Sequence, residues 1–114
     1  MFRNDGTDRN GEPFSEEVKN AVWEKGLRCP GQDGSRFRND ICGALIEREA
    51  YGDLTEEGRG WEIDHIRPVI FGGGDELSNL QPLHWMNNRH KADHYPNWAC
   101  TRSLDRLEAC TQNR

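Results

Sequence analysis

An α+β fold is predicted for this chain of 114 residues, and three stretches predict it. Residues 61–66 alternate, with Trp61, Ile63 and His65 on one side of an extended segment and Glu62, Asp64 and Ile66 on the other, which is the period of a strand. A second short strand, about Leu80 to His84, is placed to pair back on it, and a helical stretch from Asn87 to Asp93 follows. Far upstream, Ser15 stands where a side-chain oxygen caps a helix running from Glu16 to about Lys25. Acids in its first turn face the positive end of the helix dipole and Gly26 supplies the stop.

Taken in order, residues 1–13 are polar and rich in Gly, Asn and Asp, so a flexible N-terminal tail is expected. In the first helix Val18, Ala21 and Val22 are the core-facing positions. Residues 40–46 read as a short strand or turn, and residues 47–60 as an acidic, Gly-containing connection. Pro68 and the run Gly72-Gly73-Gly74 end the 61–66 strand and open a loop. Near the end, Ser103 is expected to cap a short helix that buries Leu104 and Leu107. The chain shows no internal repeat, and its length suits a single domain over 14–114 with its motif core at 61–93.

That core occupies 33 residues as strand, loop, strand and helix. It is too short to bury a core of its own, so flanking segments or a metal must support it. It also holds a combination that packing does not require. Asp64 and His65 are adjacent, Asn79 follows 14 residues after His65, and Asn88 comes 9 residues later. Together with Arg38-Asn39-Asp40, Cys42-Gly43 and Tyr51-Gly52, the runs W-E-I-D-H-I, P-V, G-G, L-S-N-L-Q-P-L-H-W and N-N-x-x-K make the stretch from about Arg38 to Asp93 resemble the HNH endonucleases. Those are enzymes of the ββα-metal (His-Me finger) fold, and the likeness is to a bacterial and phage subgroup. The resemblance implies a two-stranded antiparallel hairpin and a helix around one metal ion, with flanking helices added. The three residues for which the motif is named are here His65, Asn79 and Asn88, and Asp64 stands where the family places a metal-binding acid.

The chemistry of phosphodiester hydrolysis explains why these residue types recur. His65 can take a proton from water, since an ordinary imidazole titrates at ~6.5, near working pH. The Asp64 carboxylate and the Asn88 side-chain oxygen suit a divalent cation that neutralises charge at phosphorus. Hard oxygen ligands with open positions favour Mg²⁺ or Mn²⁺. Asn79 is implied to bond backbone in the inter-strand loop and so help to place the histidine. Adjacent strand residues point to opposite faces, so Asp64 and His65 can serve one phosphate only if the strand end twists or bulges before Pro68. The Gly triplet reads as a turn, because no GK[ST] follows it to make a phosphate cradle.

The partner implied is DNA. Arg67, Arg89, His90 and Lys91 are the candidate backbone contacts, with Asn88 and Lys91 sharing a helix face. The net charge of −5 argues against tight nonspecific binding. Residues 47–76 hold nine acids against three bases, whereas residues 77–114 hold five bases against three acids. Weak, salt-sensitive DNA binding is expected, with the acidic half open to a partner protein and the chain a monomer or weak dimer. One HNH site cuts one strand at a time, so a monomer is expected to nick. The alternative function is a non-catalytic nucleic-acid-binding module on the same scaffold, in a phage packaging or repair complex. No apolar run approaches the ~18 residues of a membrane span and nothing resembles a signal peptide, which points to a cytoplasmic location without membrane association.

Four cysteines remain, Cys29, Cys42, Cys100 and Cys110. HNH relatives often carry a structural zinc on two C-x-x-C pairs, but the spacings here are 13 and 10. Buried or incidental thiols are the expectation, with a structural Zn²⁺ on all four as the alternative. Disulfides are disfavoured in a cytoplasm.

Overall fold

The structure is a computed structural model that describes residues 5–103. Helix α1 (Glu16–Trp23) is followed by strands β1 (Phe37–Asn39) and β2 (Leu45–Glu47), then β3 (Trp61–His65), β4 (Leu80–His84) and helix α2 (Trp85–Lys91). Two antiparallel hairpins, β1-β2 and β3-β4, form separate two-stranded sheets. This is the α+β architecture, with a ββα unit in β3, β4 and α2. The expected helix around 104–107 lies outside the described residues.

Local chemistry accounts for each element. The Ser15 side chain accepts from the Val18 N–H at 3.2 Å and opens α1. The helix ends at Trp23, two residues short of the expected Lys25, and its buried face is Val22 and Trp23 with Val18 packed beside them. The segment at 40–46 holds both the turn of a hairpin, at 40–44, and the start of its second strand β2, while the first strand β1 begins at Phe37. Strand β4 has the expected bounds, and α2 begins two residues earlier than Asn87. That shift has a visible cause in His84. Its Nδ1 accepts from the Met86 N–H at 3.1 Å, while its Nε2 meets the Gly58 carbonyl at 2.9 Å. The imidazole thus caps α2 and ties it to the 47–60 connection.

The core is small: Phe14, Val22, Trp23, Ile46, Trp61, Ile63 and Leu80. Trp61 is its centre, with its ring 5.2 Å from Trp23 and edge-on to Tyr51 at 4.8 Å. Every residue of β3 is buried, on both faces of the strand. One face carries Trp61 and Ile63 into the core, and the other carries Glu62 and Asp64 under α2. Residues 5–13, expected as a flexible tail, lie against this body. Thr7 bridges Pro13, and the Gly6 carbonyl accepts from the Tyr51 hydroxyl at 3.0 Å.

Buried polar hubs join the pieces that the core does not reach. Asp40 is 1% exposed. One carboxylate oxygen accepts from the Cys42 and Ala44 N–H groups, and the other from the His84 N–H and the Asn87 side chain, all at 2.9 to 3.0 Å. Burial pushes its carboxyl above the usual range, and these four donors pull it back. Asn87 carries the linkage onward. Its Oδ1 accepts from the N–H groups of Thr101 and Arg102, and its Nδ2 donates to the Arg102 carbonyl.

This chain of bonds brings Cys100 to Cys42, and the two form a disulfide across 58 residues of sequence, with Cα atoms 5.8 Å apart. Cys29 is disulfide-bonded as well. The expectation of thiols is corrected, and so is the four-cysteine Zn²⁺ alternative. A sulfur committed to a disulfide is no thiolate ligand. Disulfides persist in oxidising surroundings, which is at odds with the cytoplasmic setting on which the thiol expectation rested. Among the described residues no helix is long and apolar enough to cross a membrane.

Removing the Asp40 carboxylate takes an acceptor from four donors at once, of which Asn87 keeps the Arg102 carbonyl. Asp40→Ala is expected to destabilise the protein by about 3 kcal/mol or more, measured by urea unfolding under non-reducing conditions. A change below about 1 kcal/mol would show that this hub does not hold the hairpin to α2.

Candidate active site

The end of β3 and the face of α2 beside it enclose a small polar cavity. Asp64, His65, Asn88 and Asp93 line it, with Pro68 and, from the N-terminal segment, Asp5 and Gly6. Asp64 and His65 therefore reach one cavity although they are neighbours on a strand. Pairing explains the position of the first. Asp64 lies directly across from Gln81 in the β3-β4 register, and the Gln81 amide donates to its Oδ2 at 2.9 Å.

The other Asp64 oxygen meets Lys91. The Lys91 Nζ stands 3.1 Å from Oδ1 and also donates to the His65 carbonyl at 3.0 Å. Both side chains are buried, Lys91 to 1% and Asp64 to 6% exposure. Burial raises the Asp64 carboxyl above the ordinary range, with Lys91 and Gln81 drawing it back down. As expected, Asn88 and Lys91 share a helix face. That face is the inner one, so Lys91 is an ion-pair partner within the site and is not placed to meet a phosphate.

Asn88 is held by a residue that the sequence reading did not single out. Its Nδ2 donates to Glu62 Oε1 at 2.9 Å. With the amide nitrogen taken, the side-chain oxygen is the end left for the cavity. Glu62 is itself buried and receives the Arg89 guanidinium at 2.8 Å. Arg89 also pairs with Asp5 at 2.8 Å, so this candidate DNA contact is clamped between two acids. The Glu62 carboxylate beside it raises the Arg89 pKa. The signal for Glu62 was available in its position two residues before Asp64, on the same face of the strand.

His65 is 2% exposed at its side chain, and its Nε2 lies 2.7 Å from Asp75 Oδ1. The Phe14 ring packs beside it, with centroids 5.9 Å apart. Asp75 is the second residue that the sequence reading missed. It sits in the loop between β3 and β4, and only the return of that loop onto β3 brings it to the histidine.

Asn79 shapes that loop without touching the cavity. Its Oδ1 accepts from the Arg67 N–H at 2.8 Å, and its Nδ2 donates to the carbonyls of Gly74 at 2.9 Å and Arg67 at 3.2 Å. Its own carbonyl accepts from the Ile66 N–H. Gly73 passes so close to this staple that a Cβ there would stand 1.7 Å from the Arg67 carbonyl oxygen. The remaining candidates do not line the cavity. Arg67 is exposed, with its Nε bonded to the Phe71 carbonyl at 2.7 Å, and His90 is exposed on α2.

Residues 41–94, which run from the β1-β2 turn past the end of α2, match the family model of the HNH endonucleases. Comparison with curated proteins and with solved structures finds no match. The matched segment holds β2, β3, β4 and α2, and with them Asp64, His65, Asn79 and Asn88. Helix α1, strand β1 and the N-terminal segment that closes the cavity lie outside it.

The buried Lys91–Asp64 pair makes a stability prediction. Lys91→Met leaves a carboxylate buried without its counter-ion and is expected to cost about 3 kcal/mol, with the Asp64 carboxyl rising further once the ammonium is gone. Glu16→Ala, which removes exposed pairs on the surface of α1, is expected to cost under about 1 kcal/mol. Urea unfolding of the two variants checks the contrast, and equal costs would contradict the burial of the pair.

Proposed function

We propose that this HNH protein is a divalent-metal-dependent DNA endonuclease that hydrolyses phosphodiester bonds, one strand per site and with little sequence specificity. The observation that carries the reading is the single polar cavity on which Asp64, His65 and Asn88 converge.

The donor set fits a hard divalent cation. Asp64 offers a carboxylate with lone pairs beyond those used by Lys91 and Gln81. Asn88 offers an amide oxygen, because Glu62 takes its nitrogen. Among the described residues no three His, Cys, Asp or Glu side chains gather as a metal cage. The fit is therefore to an ion held by one carboxylate and one amide, with the rest of its shell open to water and phosphate, the habit of Mg²⁺ or Mn²⁺. Bound there, the ion neutralises charge developing on the phosphoryl oxygens.

The chain's own residues do the remaining work. His65 takes the proton of the attacking water as its oxygen bonds to phosphorus, and the opposite P–O bond breaks in line. The Phe14 ring packs beside the imidazole. Asn79 keeps the loop beyond His65 in one shape. Contacts to the DNA backbone fall to the exposed Arg67 and His90, and to Arg89 if phosphate displaces Asp5 from it. So few exposed cations on a chain of net charge −5 imply weak binding that declines steeply with salt.

A supercoiled-plasmid assay with Mg²⁺, Mn²⁺ or EDTA tests the reading. Nicked circles that appear only with metal are the expected product. His65→Ala is expected to lower the rate by at least about 10²-fold while leaving the fold and metal binding largely intact. Full activity in this variant would remove His65 as the base. DNA binding without cleavage in any metal would favour the non-catalytic nucleic-acid-binding module instead.

Calorimetric titration with Mn²⁺ tests the metal assignment separately. Asp64→Ala and Asn88→Ala are both expected to weaken binding, the former more because it removes a charged ligand. Unchanged affinity in both would place the ion elsewhere.

A further inference from the structure

We propose that Asp75 is a positioning residue that holds the His65 imidazole with its proton on Nε2, so that Nδ1 is the bare nitrogen turned to the cavity. Its consequence for cleavage rests on the nuclease reading above, whereas the tautomer itself does not.

The contact between the two side chains measures 2.7 Å, the short distance of a charge-assisted bond. A carboxylate only accepts, and a neutral imidazole has one donor and one acceptor nitrogen. The proton therefore sits on Nε2 and the lone pair on Nδ1. Asp75 is no loose loop acid. The Arg9 N–H donates to both of its oxygens, at 3.0 and 3.3 Å. The carbonyl of Gly74, the residue before it, is held by Asn79, and Gly73 runs so close to the Arg67 carbonyl that no side chain fits there. On the other side the ring is wedged against Phe14. Imidazole and carboxylate are thus each fixed from two directions.

The arrangement matters because the opposite tautomer would present an N–H to the cavity and could not take a proton from water. The same logic gives the buried aspartate of a Ser-His-Asp triad its role. Arg9 and Phe14 lie outside the segment that matches the HNH family, so the brace on this pair comes from the chain's own N-terminal flank. A role for residues 5–14 in the site follows from that placement.

Long-range ¹H–¹⁵N spectra of histidine-labelled protein test the assignment at about pH 8, above the ~6.5 of an ordinary imidazole. The wild type is expected to show His65 with a protonated Nε2 and a bare Nδ1. Asp75→Asn, whose amide nitrogen can donate to Nε2, is expected to move the proton to Nδ1. It should also lower kcat on plasmid by about 10²-fold or more, with KM changed by less than about threefold. Asp75→Glu, which keeps a carboxylate, is expected to restore the Nε2–H form and part of the rate. A wild-type proton on Nδ1, or an Asp75→Asn variant with tautomer and kcat unchanged, overturns the proposal. If Asp75→Asn fails to fold, the wild-type and Asp75→Glu spectra decide it. The spectra need no cleavage. The expected tautomers in a protein that does not cut would support the role of Asp75 and sink the nuclease reading, and an unmoved tautomer in a protein that cuts would do the reverse.

Discussion

The ion pair between Lys91 and Asp64 is the constraint on which the site depends. An ammonium and a carboxylate are both withdrawn from water at the junction of α2 with β3. Neither is tolerable there alone, since an unpaired buried charge costs several kcal/mol. The pair fixes the helix against the strand in one register, and the second bond from Lys91, to the His65 carbonyl, fixes the strand end as well. Everything that gives the cavity its shape follows from that register. Asn88 comes one helical turn before Lys91 and falls over Glu62, while Asp64 is left with an edge toward the cavity.

A chain with 33% hydrophobic residues cannot hold such a site with apolar packing alone. The seven-residue core around Trp61 secures α1, β2 and the hairpin β3-β4. Beyond it, carboxylates take over. Asp40 gathers the β1-β2 turn, the end of β4 and α2. Glu62 gathers Asn88 and Arg89. Asp75 gathers the N-terminal segment and His65. Asp40 is placed where N–H groups of Ala44, His84 and Asn87 meet inside the fold, and an unsatisfied buried donor costs about 1 to 3 kcal/mol. The acid excess that weighs against DNA binding is thus partly structural.

The placement of the cations has a functional consequence. Lys91 is spent inside the site and Arg89 is held by Asp5 and Glu62. Of the candidate contacts, Arg67 and His90 remain exposed. An anion reaching Arg89 has to compete with Asp5 and Glu62 for it.

Local pattern determined a good deal by itself. The alternation of 61–66, the short segment 80–84 placed to pair back on it and the cap at Ser15 specify β3, β4 and the start of α1, because each depends on neighbours within a few residues. The motif spacing picked out Asp64, His65, Asn79 and Asn88, of which Asp64, His65 and Asn88 reach the cavity and Asn79 shapes the loop beside it. Strand β1 escaped notice because three residues, two of them polar, show no period. What only the tertiary structure decided is which groups are buried and who their partners are. Lys91 and Arg89 read as solvent-facing cations until a strand 27 residues away supplies their acids. Asp75 reads as a loop residue until the loop folds back to His65. Cys42 and Cys100 read as unrelated thiols until Asp40 and Asn87 draw 58 residues of chain into a closed loop. Burial and long-range pairing are properties of the assembled fold, and no spacing along the chain encodes them.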